Sequence, residues 1–232
     1  MMTRINEFLQ QVSQATNSYL GIGVLIVITT ILASVLIYKK SERNEVLSNT
    51  KLIVISGVFS SLAFILMYFG IPLILPFLKI EFSFAVIFLI AMIVDMKTGI
   101  TILLIVSILD YIVKGSQVGI PIDQLAYFIA SLTFLVVSYY TSKKYNKLAG
   151  VVLATVVTAI VMTLLNYAFI TPFYIDLYTT EGFWGYVGEV EPKNFFMWCV
   201  RIYMPFNLIK WGLVSVVTLS SAKAIDRIYL NN

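Results

Sequence analysis

The chain has 232 residues, of which 59% are hydrophobic and only 12% are charged. An ordinary soluble domain carries about 25% charged residues, so this composition excludes a soluble globular protein and predicts an integral membrane protein. The net charge is +4, but the basic residues cluster at the ends of apolar runs and do not form a nucleic-acid-binding face. A single cysteine, Cys199, excludes an internal disulfide and a cysteine-rich metal site.

Long apolar runs predict seven membrane spans in one polytopic all-α membrane protein. They lie near residues 19–38, 52–70, 82–95, 99–113, 122–141, 148–170 and 203–222. The third and fourth runs predict two brief or tilted helices with a tight turn between them. Residues 1–48 form a predicted N-terminal extension with its own transmembrane helix, and residues 49–232 form a predicted six-helix membrane domain.

Lysine and arginine are concentrated at alternate ends of the predicted spans, which places those ends in the cytoplasm. The residues concerned are Lys39, Lys40, Arg43, Lys51, Lys97, Lys143, Lys144, Lys147, Lys223 and Arg227. The N-terminus is therefore predicted to lie outside the cell membrane. Because the first apolar run precedes its positive cluster, it is interpreted as an uncleaved span and not as a signal peptide.

The residue inventory leaves little room for catalysis, so the chain is not expected to be an enzyme. The sequence has no histidine and no phosphate-binding loop of the Gly-x-x-x-x-Gly-Lys-Ser/Thr type, so any uphill transport must draw energy from another subunit or an ion gradient. No metal site and no cofactor are predicted. Asp95 and Asp110 lie near span ends, where exposure to headgroup water is the simpler explanation for them.

Three polar residues interrupt apolar helices and are candidates for a binding site. Asn166 lies in the upper part of the sixth span, and Asn207 and Lys210 lie in the seventh, three residues apart and therefore on one helix face. We expect both to lie within about two turns of the outer end of that helix. The alternatives are interhelical hydrogen bonds for the asparagines and snorkelling for the lysine.

Many aromatic side chains lie near these polar residues, and amides, one cation and aromatic walls suit a planar heteroaromatic ligand. A lipid-facing aromatic belt is the alternative. The residues concerned are Tyr167, Phe169, Phe173, Tyr174, Trp198, Tyr203, Phe206 and Trp211. The long segment 171–202 and the segment 71–81 are predicted to close over such a ligand.

Three sequence segments resemble those of the riboflavin-specific S components of energy-coupling-factor (ECF) importers. They are Asn166–Tyr174 (NYAFITPFY), Pro205–Lys210 (PFNLIK) and Pro76–Ser83 (PFLKIEFS). The resemblance covers roughly residues 50–225. It implies a six-helix subunit that binds riboflavin from outside, and partner subunits comprising one transmembrane coupling subunit and two ATPases. It also implies substrate-binding residues, namely Asn166, Asn207, Lys210, Glu81, Lys79, Tyr174 and Phe206.

The same resemblance implies that Gly57 and Ser61, small residues one turn apart, contact the coupling subunit. The extra helix at 19–38 departs from the family pattern. The alternatives are an S component for another vitamin or a flavin analogue, a membrane scaffold without transport activity, and an ion-coupled transporter that works alone.

Overall fold

The computed structural model describes residues 32, 36, 47–73, 75–115, 121–172, 174 and 194–230. Within these ranges six α-helices and one β-hairpin follow each other along the chain. The helices are α1 (Asn49–Tyr68), α2 (Ser83–Ile93), α3 (Met96–Lys114), α4 (Ile122–Lys144), α5 (Lys147–Leu165) and α6 (Phe195–Leu230). The hairpin pairs β1 (Ile71–Leu73) with β2 (Leu75–Ile80), and one π-helical turn, Asn166–Ile170, extends α5. The predicted span at 19–38 lies outside the described residues, apart from Leu32 and Leu36.

Three helices, α1, α3 and α5, begin at polar capping residues on the side that the charge pattern assigns to the cytoplasm. Asp95 Oδ1 accepts a hydrogen bond from Thr98 N at 2.7 Å at the start of α3, and Asn146 Oδ1 accepts one from Ala149 N at 2.7 Å at the start of α5. Ser48 caps α1 by accepting from Lys51 N at 3.4 Å. Such caps satisfy backbone N–H groups that have no partner within the helix. They fix where each helix starts.

Two glycines allow neighbouring helices to approach closely at this same end. A Cβ atom on Gly99 would lie 2.5 Å from Ala91 Cβ, and one on Gly150 would collide with Ser142 Oγ and lie 2.7 Å from the Ser138 carbonyl oxygen. Helices in lipid gain stability from such close packing, which small residues permit. Tight turns at Val94–Asp95 and Tyr145–Asn146 therefore join helices already in contact.

Five helices within the described ranges are long and apolar enough to cross a membrane. The exception is α2, with 11 residues. At 1.5 Å per residue α2 is about 16 Å long, roughly half of a bilayer core, whereas the 19-residue α3 reaches about 28 Å. The all-α polytopic fold is confirmed. Of the two helices that were predicted to be brief or tilted, α2 is brief, whereas α3 has the length of a membrane span.

The chain enters α2 through the β-hairpin, which the sequence did not predict. Antiparallel pairing sets Ile71 opposite Ile80 and Pro72 opposite Lys79. Each strand contains a proline, which disfavours a β-sheet because proline has no N–H donor. Both strands of a two-stranded hairpin are edge strands, however, and edge strands tolerate a missing donor. The hairpin leads from the end of α1 to the start of α2. We call this end of the bundle, which the charge pattern predicts to face outside, the outer end, and the opposite end the inner end.

The last helix starts earlier than the sequence predicted. It begins at Phe195 instead of near residue 203, and Pro205 lies inside it instead of opening it. Proline is most favourable in the first turn of a helix, and the apolar run at 203–222 sets Pro205 in the first turn of the predicted span. Within membrane helices, however, neighbouring groups can compensate for the backbone hydrogen bond that proline removes.

Candidate binding site at the outer end of the bundle

An ion pair joins the segment before α2 to the middle of α6. Lys210 Nζ lies 3.2 Å from Glu81 Oε1, and the two side chains are only 17% and 12% exposed. The residues are 129 positions apart in sequence. Two charges withdrawn from water in this way are stable only when paired, so each residue holds the other in place.

The short α2 explains why this ion pair lies at depth. Because α2 is about 12 Å shorter than α3, its outer end lies well below the outer ends of its neighbours. Glu81 lies two residues before α2 and so occupies this recess. The Lys210 ammonium contacts Glu81. The alternative, that this side chain snorkels toward the membrane–water interface, is therefore not what the structure shows. The prediction that Asn207 and Lys210 lie within about two turns of the outer end of their helix is wrong, because α6 begins at Phe195, 12 and 15 residues before them.

Aromatic side chains lie immediately beside the ion pair. Lys210 Nζ is 5.9 Å from the centre of the Trp211 ring, within range of a cation–π interaction. Trp211 stacks on Phe134 at 4.8 Å between ring centres and meets Phe84 edge-on at 5.1 Å. These three fully buried rings join α2, α4 and α6 and give the site a rigid floor.

Asn166 begins the π-helical turn at the end of α5. Its side-chain Nδ2 donates to the Met162 carbonyl oxygen at 2.7 Å, and the residue is buried. Its backbone N–H is shared between the carbonyl oxygens of Met162 and Thr163. A π-helical turn re-aims the side chains that follow it and is frequent at functional sites.

Asn207 makes an equivalent contact on α6. Its Nδ2 donates to the Tyr203 carbonyl oxygen at 2.8 Å, and its side chain is buried. The helix-gluing alternative predicted hydrogen bonds between helices, but each asparagine side chain bonds within its own helix. Within the described residues no hydrogen bond joins either asparagine to Lys210, so α5 and α6 place these groups near the same end without linking them.

The remaining predicted site residues have distinct positions. Tyr174 donates from its hydroxyl to Asp123 Oδ1 at 2.5 Å, which ties the chain after the π-helical turn to the start of α4. Phe206 is buried at 4% exposure, next to Asn207. Lys79 is exposed on β2, where its aliphatic stem packs against Gly70, and the structure does not bring it to Lys210.

Gly57 and Ser61 lie on an open face of α1. A Cβ atom on Gly57 would meet nothing within 4 Å, and Ser61 Oγ donates to the Gly57 carbonyl oxygen at 3.0 Å. The neighbouring Ile53, Val54 and Val58 are 57–71% exposed. This apolar face is covered by none of the described helices.

Comparison with known proteins decides the family. Residues 51–222 match the family model of the ECF transporter, substrate-specific component. The chain belongs to this family. The match spans α1 to α6 and begins after the predicted N-terminal extension. S components are the substrate-specific components of ECF transporters.

Three curated relatives of this S component are riboflavin transporters. RibU of Streptococcus thermophilus is 29% identical over 185 residues, which cover 76% of this chain and 83% of RibU. FmnP of Bacillus subtilis is 32% identical over 173 residues, covering 72% and 87%. RibU of Staphylococcus aureus is 30% identical over 175 residues, covering 73% and 86%.

A solved structure supports the fold of this S component. This structure, of the S component of a bacterial ECF transporter, superimposes with a TM-score of 0.62 at 24% identity. The alignment covers 78% of this chain and 99% of the solved chain. The arrangement of helices is therefore shared across nearly the whole solved protein.

A second set of hydrogen-bonded polar side chains in this S component was not predicted from the sequence. Tyr127 in α4 shares a hydrogen bond of 3.0 Å with Ser83 Oγ, and Gln124, one turn earlier, donates from Nε2 to Asp110 Oδ2 at 2.9 Å. Asp110 is only 4% exposed, so headgroup water does not explain it. Asp95 is likewise buried, as the cap of α3. The i, i+3 spacing of Gln124 and Tyr127 was the available signal.

Proposed function

We propose that this S component captures riboflavin from outside the cell and delivers it through a transmembrane coupling subunit driven by two ATPases. The observation that carries the proposal is the buried Lys210–Glu81 pair, in a chain that aligns with three riboflavin transporters over most of their lengths. The pair is largely buried and lies beside the aromatic cluster of Trp211, Phe134 and Phe84, and Asn207 precedes Lys210 by about one turn of α6.

The charge balance of the site suits an uncharged ligand. Lys210 and Glu81 neutralise each other, so an uncharged ring adds no net charge to a poorly solvated site. A carboxylate-bearing vitamin such as pantothenate would bring an unpaired negative charge, and burying such a charge is costly. This difference favours a flavin over an acidic vitamin.

The hydrogen-bonding capacity of the site suits the isoalloxazine ring. One edge of this ring alternates carbonyl acceptors with an N–H donor, and a side-chain amide can pair with both kinds of group. Asn166 and Asn207 each use one N–H on their own helix, so each amide still has a carbonyl oxygen and a second N–H to offer. The Lys210 ammonium has three N–H donors, and a charge-assisted bond to the ring is stronger than a neutral one.

The open face of α1 at Gly57 and Ser61 is the proposed contact with the coupling subunit. Gly57→Leu should leave riboflavin affinity within about threefold, because the residue lies away from Lys210, and should lower uptake strongly in cells containing the coupling complex. Gly212→Leu is a matched control, since a Cβ there also meets nothing within 4 Å. Loss of binding in purified Gly57→Leu protein would instead place α1 in the pocket.

The proposed orientation follows the positive charges, with the N-terminus outside and the turn between α4 and α5 in the cytoplasm. Replacing Cys199 by serine and introducing a cysteine at Lys143 allows labelling of intact cells with a membrane-impermeant thiol reagent. We expect labelling only after permeabilisation. Labelling from outside would reverse the topology.

The substrate itself is tested by titrating purified protein with a panel of vitamins. We expect riboflavin to bind at least a hundredfold more tightly than pantothenate, pyridoxine or biotin, and protein purified from riboflavin-fed cells to carry flavin absorbance. Riboflavin uptake should require the coupling complex. Binding of another vitamin in place of riboflavin would make the chain an S component of different specificity, and uptake without the coupling complex would favour a solitary transporter.

A further inference from the structure

The turn between α4 and α5 carries a basic patch with aromatic neighbours of its own. Lys143 and Lys144 end α4, and Lys147 begins α5. All three lysines are exposed, and so is Tyr145, which lies between them in sequence. We call these four residues the α4–α5 corner. The corner lies at the inner end of the bundle, and it is therefore separate from the proposed flavin site.

The lengths of the two helices place this corner at the level of lipid headgroups. The 23 residues of α4 extend about 35 Å, and the span Lys147–Ile170 has 24 residues. Either span crosses a bilayer core about 30 Å thick, so residues at its end reach the polar interface. Tyr140 on α4 and Leu148 on α5 are 45% and 61% exposed. The corner thus combines ammonium groups with exposed aromatic and apolar surface.

Tyrosine rings hold two of the ammonium groups in place. Lys143 Nζ lies 4.7 Å from the centre of the Tyr139 ring, and Lys144 Nζ lies 5.3 Å from the centre of the Tyr145 ring. Both distances are within the range of a cation–π interaction. The close contact at Gly150 fixes α4 against α5, the two helices that carry the lysines. The positive charges are therefore presented in a defined arrangement.

Acidic residues of the same two helices do not balance this positive charge. The sequence has no aspartate or glutamate between Asp123 and Asp176, and Asp123 lies at the opposite end of α4. Asp95, at the start of α3, is buried as the cap of that helix. Lysines at a bilayer surface attract anionic lipids, and each lysine near the surface is worth about fivefold in affinity. The charge of the corner is therefore complementary to an anionic headgroup.

We propose that the α4–α5 corner binds the headgroup of an anionic phospholipid. The ammonium groups of Lys143 and Lys144 donate to the phosphate, and such charge-assisted hydrogen bonds are stronger than neutral ones. Tyr145 and Leu148 contact the glycerol and the first part of the acyl chains, a depth that aromatic side chains favour. Exposed apolar side chains at the ends of two membrane spans favour a lipid over a soluble acidic partner. The inference does not depend on which vitamin the protein binds.

Native mass spectrometry of the purified chain in detergent measures its affinity for individual lipids. Wild-type protein should bind phosphatidylglycerol at least tenfold more tightly than phosphatidylcholine, which has the same glycerol and acyl chains but no net charge. Lys144→Gln should weaken phosphatidylglycerol about fivefold and leave phosphatidylcholine within twofold. Lys51→Gln is the matched control, because Lys51 is an exposed lysine at the inner end of α1. It should leave both affinities within twofold.

Four outcomes would overturn the lipid site. The first is equal affinity of the wild-type protein for the two lipids, which decides the matter even if the Gln variant does not fold. The second is an equal loss in Lys144→Gln and Lys51→Gln, since overall charge and not the corner would then attract the lipid. The third is displacement of phosphatidylglycerol by soluble glycerol phosphate, which would make the corner a site for soluble phosphates. The fourth is unchanged lipid affinity in Lys144→Gln together with lost assembly with the coupling complex, which would make the corner a protein contact.

Discussion

The inner and outer halves of the bundle are built on different principles. At the inner end, Asp95 and Asn146 cap the starts of α3 and α5. Neighbouring helices pack so closely at Gly99 and Gly150 that neither position has room for a side chain. At the outer end, a short helix, a β-hairpin and a π-helical turn hold polar side chains deep within an apolar bundle. We infer from this contrast that close packing at the inner end stabilises the bundle. The polar groups at the outer end can then serve ligand binding and not stability.

The largest expected effect comes from filling the closest helix contact at the inner end. Gly150→Leu places side-chain atoms where the Ser138 carbonyl oxygen and Ser142 now lie, and backbone atoms cannot yield as a flexible side chain can. We expect loss of folded protein after detergent extraction, measured by size-exclusion chromatography and thermal melting. Gly150→Ala should cost about 1–3 kcal/mol of stability.

Gly212→Leu is the matched control for that change, because Gly212 has open space where its Cβ would lie. It should leave the melting temperature within a few degrees of the wild-type value. If Gly150→Leu protein were equally stable, the inner half would not be held by this contact.

At the outer end the largest effect should come from Lys210. Lys210→Met removes the proposed donor to the flavin ring and leaves Glu81 without its ion-pair partner. Riboflavin affinity should therefore fall about a hundredfold, equivalent to roughly 2.7 kcal/mol. The measurement is fluorescence titration of purified protein, with folding checked by thermal melting.

A double variant separates the two roles of Lys210. Lys210→Met with Glu81→Gln removes both charges, so it should recover thermal stability while remaining at least tenfold weaker for riboflavin. Recovery of affinity to within threefold would mean that Lys210 only neutralises Glu81 and does not touch the ligand.

The two asparagines should have smaller effects. Asn166→Ala and Asn207→Ala each remove one amide from the ring site, and the loss of such a neutral bond costs about 1–1.5 kcal/mol, or roughly tenfold in affinity. Isothermal titration with riboflavin measures this loss. Thr218→Val is the control, because its hydroxyl already donates to the Val214 carbonyl oxygen on α6. Unchanged affinity in both asparagine variants would leave these amides as helix-stabilising groups.

The sequence predicted the inner half better than the outer half. Hydropathy and positive charge placed α4 and α5 within a few residues, because long apolar helices and their capping residues are encoded locally. The hairpin at 71–80 and the start of α6 at Phe195 were missed, since Pro72 and Pro205 favour other conformations locally and tertiary packing outweighs that preference.

The candidate site was predictable only in part. Polar residues within apolar helices identified Asn166, Asn207 and Lys210 as candidates, but no local pattern pairs Lys210 with Glu81, 129 residues away. The depth of the site could not be predicted from local sequence either, because it depends on how short the 11-residue α2 is relative to its neighbours. Gln124 and Tyr127 were overlooked because single polar residues near the start of a span are common.

Hydrogen exchange with and without riboflavin tests the division into two halves, and with it the outer binding site, most directly. Mass spectrometry of the purified protein should show ligand-induced protection in residues 71–82, in 166–174 and in the first part of α6, with no change at residues 94–99 and 142–150. Protection confined to the outer half, including the predicted closing segments 71–81 and 171–202, is the result that we expect. Protection of the inner turns without protection of the outer segments would contradict an outer site.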